Sequence, residues 1–248
     1  MQHFSILILT KNEESTIDRC LNSLKHMGDE TIIIDDHSSD ETLQKARAYG
    51  VKIYTQSLND NFAEARNRAM LQAKSKYILF IDADEVVSKE MKEYIVQIPE
   101  KTQIPAFAFK RVDFFWNTKM RFGEVGNTYV TRLVTKDCGS FIRPVHEVWQ
   151  GSKVKKVDCP LYHYPHPTIS SFLHSINTYS SLNAAYMLSQ GKNIGTLELI
   201  VLPLGKFMYT YFFKLGFLDG AAGFIYSFMM SFHSFLTRAK VYTRKKYA

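Results

Sequence analysis

Four short runs of aliphatic and β-branched residues, Phe4–Leu9, Thr31–Ile34, Val51–Tyr54 and Tyr77–Ile81, punctuate the first third of the chain. Helical spacing fills the gaps between them. Ile17, Cys20, Leu21 and Leu24 recur along one helix face, and Gly28 stops the run. Ser38 with Glu41 predicts a capping box for a second helix that Gly50 closes, and residues 61–73 predict a third. Apolar strands joined through helices by short connections pair in parallel, in a sheet covered by helices on both faces. The expected fold class is therefore α/β.

In such sheets ligands bind beyond the carboxyl ends of the strands. The polar clusters Thr10–Glu14, Asp35–Asp40 and Asp82–Glu85 all fall at those ends. Asp82-Ala83-Asp84 sets two carboxylates one residue apart, an arrangement that can hold a hard divalent cation through oxygen. Such an ion neutralises a diphosphate, and no cysteine–histidine pairing nearby points to zinc. The bland use of the same aspartates is a capped turn. Asp36 is placed to accept a hydrogen bond from the imide N–H of a uracil, whereas Ser38 and Asp40 read as capping residues.

From Ala106 to about His166 the helical period disappears, and extra strands and loops are expected. Pro165 and Pro167 mark a boundary. Beyond it a helix is predicted over Ile169–Ser189, then apolar stretches over Leu197–Leu218 and Gly220–Leu236, interrupted by Pro203 and a Leu218-Asp219-Gly220 turn. Charge separates the two parts of the chain. The first 150 residues hold 20 Lys and Arg against 21 Asp and Glu, the remaining 98 hold 11 against 3. The basic part is rich in aromatic residues and ends in Arg238, Lys240, Arg244, Lys245 and Lys246, which points to an anionic membrane surface and away from nucleic acid. Three cysteines without metal-type spacing predict a reducing compartment, and the short Phe4–Leu9 run reads as a strand without a secretory leader.

The series ILTKNEE, IIIDDHSSDET, NFAEARNRA and LFIDADE, in that order over residues 4–85, resembles the family-2 glycosyltransferases of the GT-A fold. The resemblance implies a Rossmann-like, mostly parallel nucleotide-sugar-binding sheet over residues 1–166 with a helical appendage over 167–248. Within the first domain it implies a nucleotide-binding half to about residue 100 and an acceptor half after it. It implies that Thr10, Asn12 and Glu14 flank base and ribose, that Asp36 reads the uracil, and that Arg66 lies beside the nucleotide or diphosphate. Asp82, Ala83 and Asp84 would meet ribose and metal, the metal being Mn²⁺ or Mg²⁺. Glu147, with His146 as neighbour or substitute, sits where related enzymes carry the catalytic base. His163 matches a metal-holding histidine, with His166 as the alternative. Gly123 and Gly126 would let the backbone approach the donor sugar or form a plain turn, and Arg132 and Arg143 would bind acceptor phosphate or serve as surface charges.

FFKLGFLDGAAG resembles a subset that adds sugars to lipopolysaccharide core. The implied activity is an inverting transfer from a UDP-sugar to a cell-envelope glycan or glycolipid at the cytoplasmic face of the inner membrane. A polyprenyl phosphate or a protein side chain is the alternative acceptor. A non-catalytic nucleotide-binding scaffold is the reading from another class. Residues 197–248 are expected to lie on the membrane surface without crossing it, or else to form a homo-oligomer contact.

Overall fold

The computed structural model describes residues 3–57, 61–99, 102–143, 147–151 and 153–247, with side chains as far as residue 244. Four parallel strands carry the first part: β1 (Phe4–Thr10), β2 (Glu30–Asp35), β3 (Lys52–Thr55) and β4 (Tyr77–Asp82), in the spatial order β3-β2-β1-β4. They are linked through α1 (Ile17–Leu24), α2 (Thr42–Arg47) and α3 (Phe62–Gln72). β5 (Glu85–Val87) and α4 (Lys89–Gln97) follow, then β6 (Ala106–Phe115), β7 (Thr118–Lys119), β8 (Thr128–Thr135), β9 (Gly139–Ile142), β10 (Val148–Gly151) and β11 (Val154–His163). β8 runs antiparallel to β4 and to β6, and the sheet continues through β11 to β5, while β9 and β10 form a separate ribbon.

Every residue of β1 is buried, and its pleat divides two cores. Ile6 and Ile8 join Ile33, Leu79 and Ile81 on the face covered by α1 and α4. Leu7 and Leu9 join Ile32, Ile34, Ile78 and Phe80 on the face covered by α3. The four residues of α1 that share the expected face, Ile17, Cys20, Leu21 and Leu24, are its buried ones. The capping box expected at Ser38 and Glu41 does not form. Ser38 donates its hydroxyl to Asp35 (2.5 Å), and Asp40 instead accepts the Thr42 N–H at the start of α2 (3.0 Å).

Two compact units divide the chain: Met1–Arg111 with Thr128–Tyr164, and Val112–Asn127 with Pro165–Ala248. The second is built on α5 (Ile169–Ser189), α6 (Thr196–Met208) and α7 (Gly220–Tyr247). Phe172 and Ile176 of α5 pack with Ala222 and Met229 of α7 and with Phe115, Met120 and Val125. Pro203 does not break α6 as the sequence suggests. The helix runs through it into a π-helical turn at Tyr209–Phe213, and the chain reverses only at Leu215, whose φ is +59°. Asp219 closes the corner by accepting the backbone N–H groups of Arg121 (3.1 Å) and Phe122 (2.9 Å). Gly123 has a φ of +68°, and a Cβ on Gly126 would lie 2.3 Å from the Arg121 carbonyl, so both glycines are needed by this turn.

Candidate active site

Parallel pairing aligns the polar strand ends: Thr10 stands opposite Asp35, and Leu9 opposite Asp82. The loops beyond β1 and β2 are stitched together. Asn12, at φ +56°, donates its N–H to Ser38 Oγ (2.9 Å) and accepts the Ser39 N–H (2.8 Å). Glu14 accepts the Glu41 N–H (3.0 Å), and Asp36 Oδ2 accepts from Lys11 Nζ (2.8 Å). Thr10, Asn12, Glu14 and Asp36 are thus neighbours, and the first three differ in what they offer. Asn12 and Glu14 hold backbone, whereas the buried Thr10 hydroxyl oxygen has no hydrogen-bond partner.

The small residues Ala63, Ala65 and Ala69 let α3 close onto the sheet, with Asn61 capping its first turn by accepting the Glu64 N–H (3.1 Å). This delivers Arg66, 2% exposed, beneath the end of β4, its guanidinium centred 5.4 Å from the Phe80 ring and 5.5 Å from the Phe141 ring. Its Nη2 donates to Asp82 Oδ1 (2.5 Å) and its Nε to Glu147 Oε1 (2.7 Å). Asn67, the next residue, clasps the backbone of Phe141 at both N–H and C=O (2.9 Å each) and so ties the β9–β10 ribbon to α3. Arg132, from β8, donates to the second oxygen of Asp82 and to Glu85 (2.6 Å). It is buried in an ion-pair network, not a surface charge. Burial opposes ionisation of Asp82, but Arg132 and Arg66 together outweigh it and hold this carboxyl well below the usual range.

Asp84 points elsewhere. Its Oδ2 lies 3.2 Å from His163 Nε2 at the end of β11, and its neighbour Ala83 is buried against the core. Burial works against the Asp84 carboxylate, and the charge of His163 overcomes it, so its pKa is lowered. Glu13 stands close by, its Oε2 accepting from the Thr16 hydroxyl (2.6 Å). Burial, reinforced by Asp84, pushes its carboxyl up to about 7. Among the described residues no group of three or more His, Cys, Asp or Glu side chains could hold a metal ion by itself. One carboxylate facing one imidazole nevertheless fits a Mn²⁺ or Mg²⁺ ion that takes its other ligands from phosphate oxygens. Asp84 and His163 would hold it. Asp82, the third expected ligand, has both oxygens engaged by arginine.

His146 lies outside the described residues. His166, the alternative to His163, stacks on Phe172 with ring centroids 4.2 Å apart. Arg143 has a φ of +72° and joins none of the contacts above. Glu13, Glu85 and Asn67 were not singled out from sequence. A depression of about 700 Å³ lined by His3, Asp29, Lys52, Lys74 and Lys76 opens at the opposite, amino ends of the strands, away from these carboxylates.

An uncharacterized glycosyltransferase of Rickettsia typhi is 28% identical over 97% of this chain and 87% of its own length. Another, of Rickettsia felis, is 29% identical over 97% of this chain and 90% of its own. The crystal structure of S. aureus TarS 1–349 in complex with UDP-GlcNAc superposes with a TM-score of 0.52 at 14% identity, covering 96% of this chain and 88% of that one, which is a likeness of fold. The sequence profile described as glycosyl transferase family 2 matches residues 5–173, from β1 into α5, and the chain belongs to that family.

Proposed function

We propose that this glycosyltransferase moves a sugar, with inversion and with the help of a divalent cation, from a UDP-sugar to a hydroxyl of a cell-envelope glycan or glycolipid such as lipopolysaccharide core. The observation that carries the reading is the Arg66 fork, which brings the Asp82-Ala83-Asp84 turn and Glu147 to one place at the carboxyl ends of parallel strands. Asp36 accepts the uracil imide N–H, and the buried, unpartnered Thr10 hydroxyl lies at the same strand end beneath the nucleoside. Arg66 fixes Glu147 through Oε1 and leaves Oε2 outside that bond, the oxygen that takes the proton from the acceptor hydroxyl. As that proton leaves, the acceptor oxygen bonds the anomeric carbon from the face opposite the departing diphosphate, and a single displacement inverts the centre. A cation bound by Asp84 and His163 supplies charge neutralisation at the diphosphate.

The test is a panel of nucleotide sugars, read by thermal shift with and without Mn²⁺ and by donor hydrolysis without acceptor. A UDP-sugar should raise the melting temperature and be hydrolysed slowly. Asp84→Asn should lose at least 90% of the hydrolysis while keeping the fold, since the residue stands past a strand end and outside the core. Full activity in chelator, or no response to any nucleotide sugar, would overturn the proposal.

A further inference from the structure

The second unit exposes apolar surface in a pattern that its own packing does not use. Among the described residues, 15 of the 25 exposed large apolar side chains fall between residues 197 and 235. In α6 Leu197, Ile200, Val201, Leu204 and Met208 have the spacing of one helix face, with Leu197 73% exposed, and Leu202 is exposed outside that face. In α7, Phe224, Phe228 and Phe235 also share one stripe, while Ala222 and Met229 face the core. Between the helices the corner presents Phe212, Phe213, Leu215, Phe217 and Leu218, with Phe213 77% exposed. A soluble surface ordinarily scatters such residues singly.

The corner is a built shape. A Cβ on Gly223 would lie 1.9 Å from the Gly216 carbonyl, so the two segments meet backbone to backbone. The Ser231 hydroxyl donates to the Pro203 carbonyl (2.7 Å) and ties α7 to α6. The helical segments Thr196–Phe213 and Gly216–Arg244 meet at a 70° bend; no single helix among the described residues is long and apolar enough to cross a membrane, and only the bent pair taken together has that length and composition. Charge identifies what covers this face. The second unit holds 10 Lys and Arg against 4 Asp and Glu, whereas the first holds 21 against 20. Lys214 stands exposed in the corner itself. Lys240, expected from sequence to meet a membrane, is instead bound to Asn177, Ser180 and Ser181 of α5. Pairing two such faces would oppose like charges. An anionic lipid surface accepts both the apolar stripe and the cations.

We propose that α6, the Tyr209–Asp219 corner and the outer stripe of α7 form a wedge that seats in one leaflet of an anionic bilayer without crossing it. The proposal is independent of the catalytic reading. It is tested on the full chain by flotation with phosphatidylglycerol–phosphatidylcholine vesicles. Binding should exceed that to phosphatidylcholine alone, weaken in high salt and be released in full by mild detergent. The double substitution Phe212→Ser/Phe213→Ser, at exposed positions, should reduce partition about tenfold or more with an unchanged circular dichroism spectrum and melting temperature. Phe213→Trp should show blue-shifted emission on the vesicles that brominated lipid quenches. Equal partition of the double variant and the native chain would overturn the proposal. Quenching of the Phe213→Trp emission only by lipid brominated at the bilayer centre would overturn the one-leaflet placement. Absence of vesicle binding, with a dimer in sedimentation that the same double variant abolishes, would assign the face to a second copy.

Discussion

Arg66 makes two directed bonds from one rigid plane, Nη2 to Asp82 and Nε to Glu147, inside a site where it is 2% exposed. A lysine carries the same charge as a point and cannot span both carboxylates. Arg66→Lys should therefore destabilise the fold by about 1–3 kcal/mol, because the buried cation can then bond only one of the two carboxylates. It should also lower kcat more than it raises KM for the donor, since Glu147 loses its orientation. Urea denaturation and steady-state kinetics would check the two parts, and an unchanged kcat would separate Arg66 from Glu147. Glu13 gives a pH signature of the opposite sign to a paired carboxylate. Burial and Asp84 raise it from 4.5 to about 7, so the folded chain holds this proton more tightly than the unfolded one. Its contribution to stability is complete below about pH 4.5 and declines as pH rises toward 7. In EDTA, Glu13→Gln should flatten the stability profile over that window and gain on the order of 2 kcal/mol at neutral pH, measured by denaturant titration at several pH values.

Among the elements, some were legible because one local signal had no competitor. The helix Ile169–Ser189 begins at a Thr168 cap and contains no proline, and its bounds agree with the spacing. The start of α2 departs from the expected capping box because Ser38 has two partners available and takes Asp35, a choice that depends on where β2 ends. Pro203 was read as a break because its missing N–H disrupts a helix in isolation, yet α6 passes through it with Ser231 bonded to its carbonyl. Gly223 turns the usual propensity argument around in the same way. Alanine normally stabilises a helix relative to glycine by about 1 kcal/mol. Here its methyl would meet the Gly216 carbonyl at 1.9 Å, so Gly223→Ala should destabilise the second unit by about 1–3 kcal/mol. Hydrogen exchange at the corner and the melting temperature would register it, and a raised melting temperature would refute the close approach.

At the scale of the whole molecule, the strand-end carboxylates were readable from residues 4–85 because parallel strands carry their polar ends to one edge. What was not readable lies in the long-range joins. Glu147 meets Arg66 beside the join in which Asn67 holds Phe141 across the α3–β9 gap. Arg132 could have been found by its setting, a lone cation between Thr131 and Leu133 in a strand whose last four residues are buried. The same topology has a consequence for the birth of the protein. β1 leaves the ribosome before β2 and β4 but lies between them, with Phe4 paired to Tyr77. Until Asp82 has been made, one edge of a strand that ends wholly buried has no neighbour, and the middle of the sheet waits for its second flank.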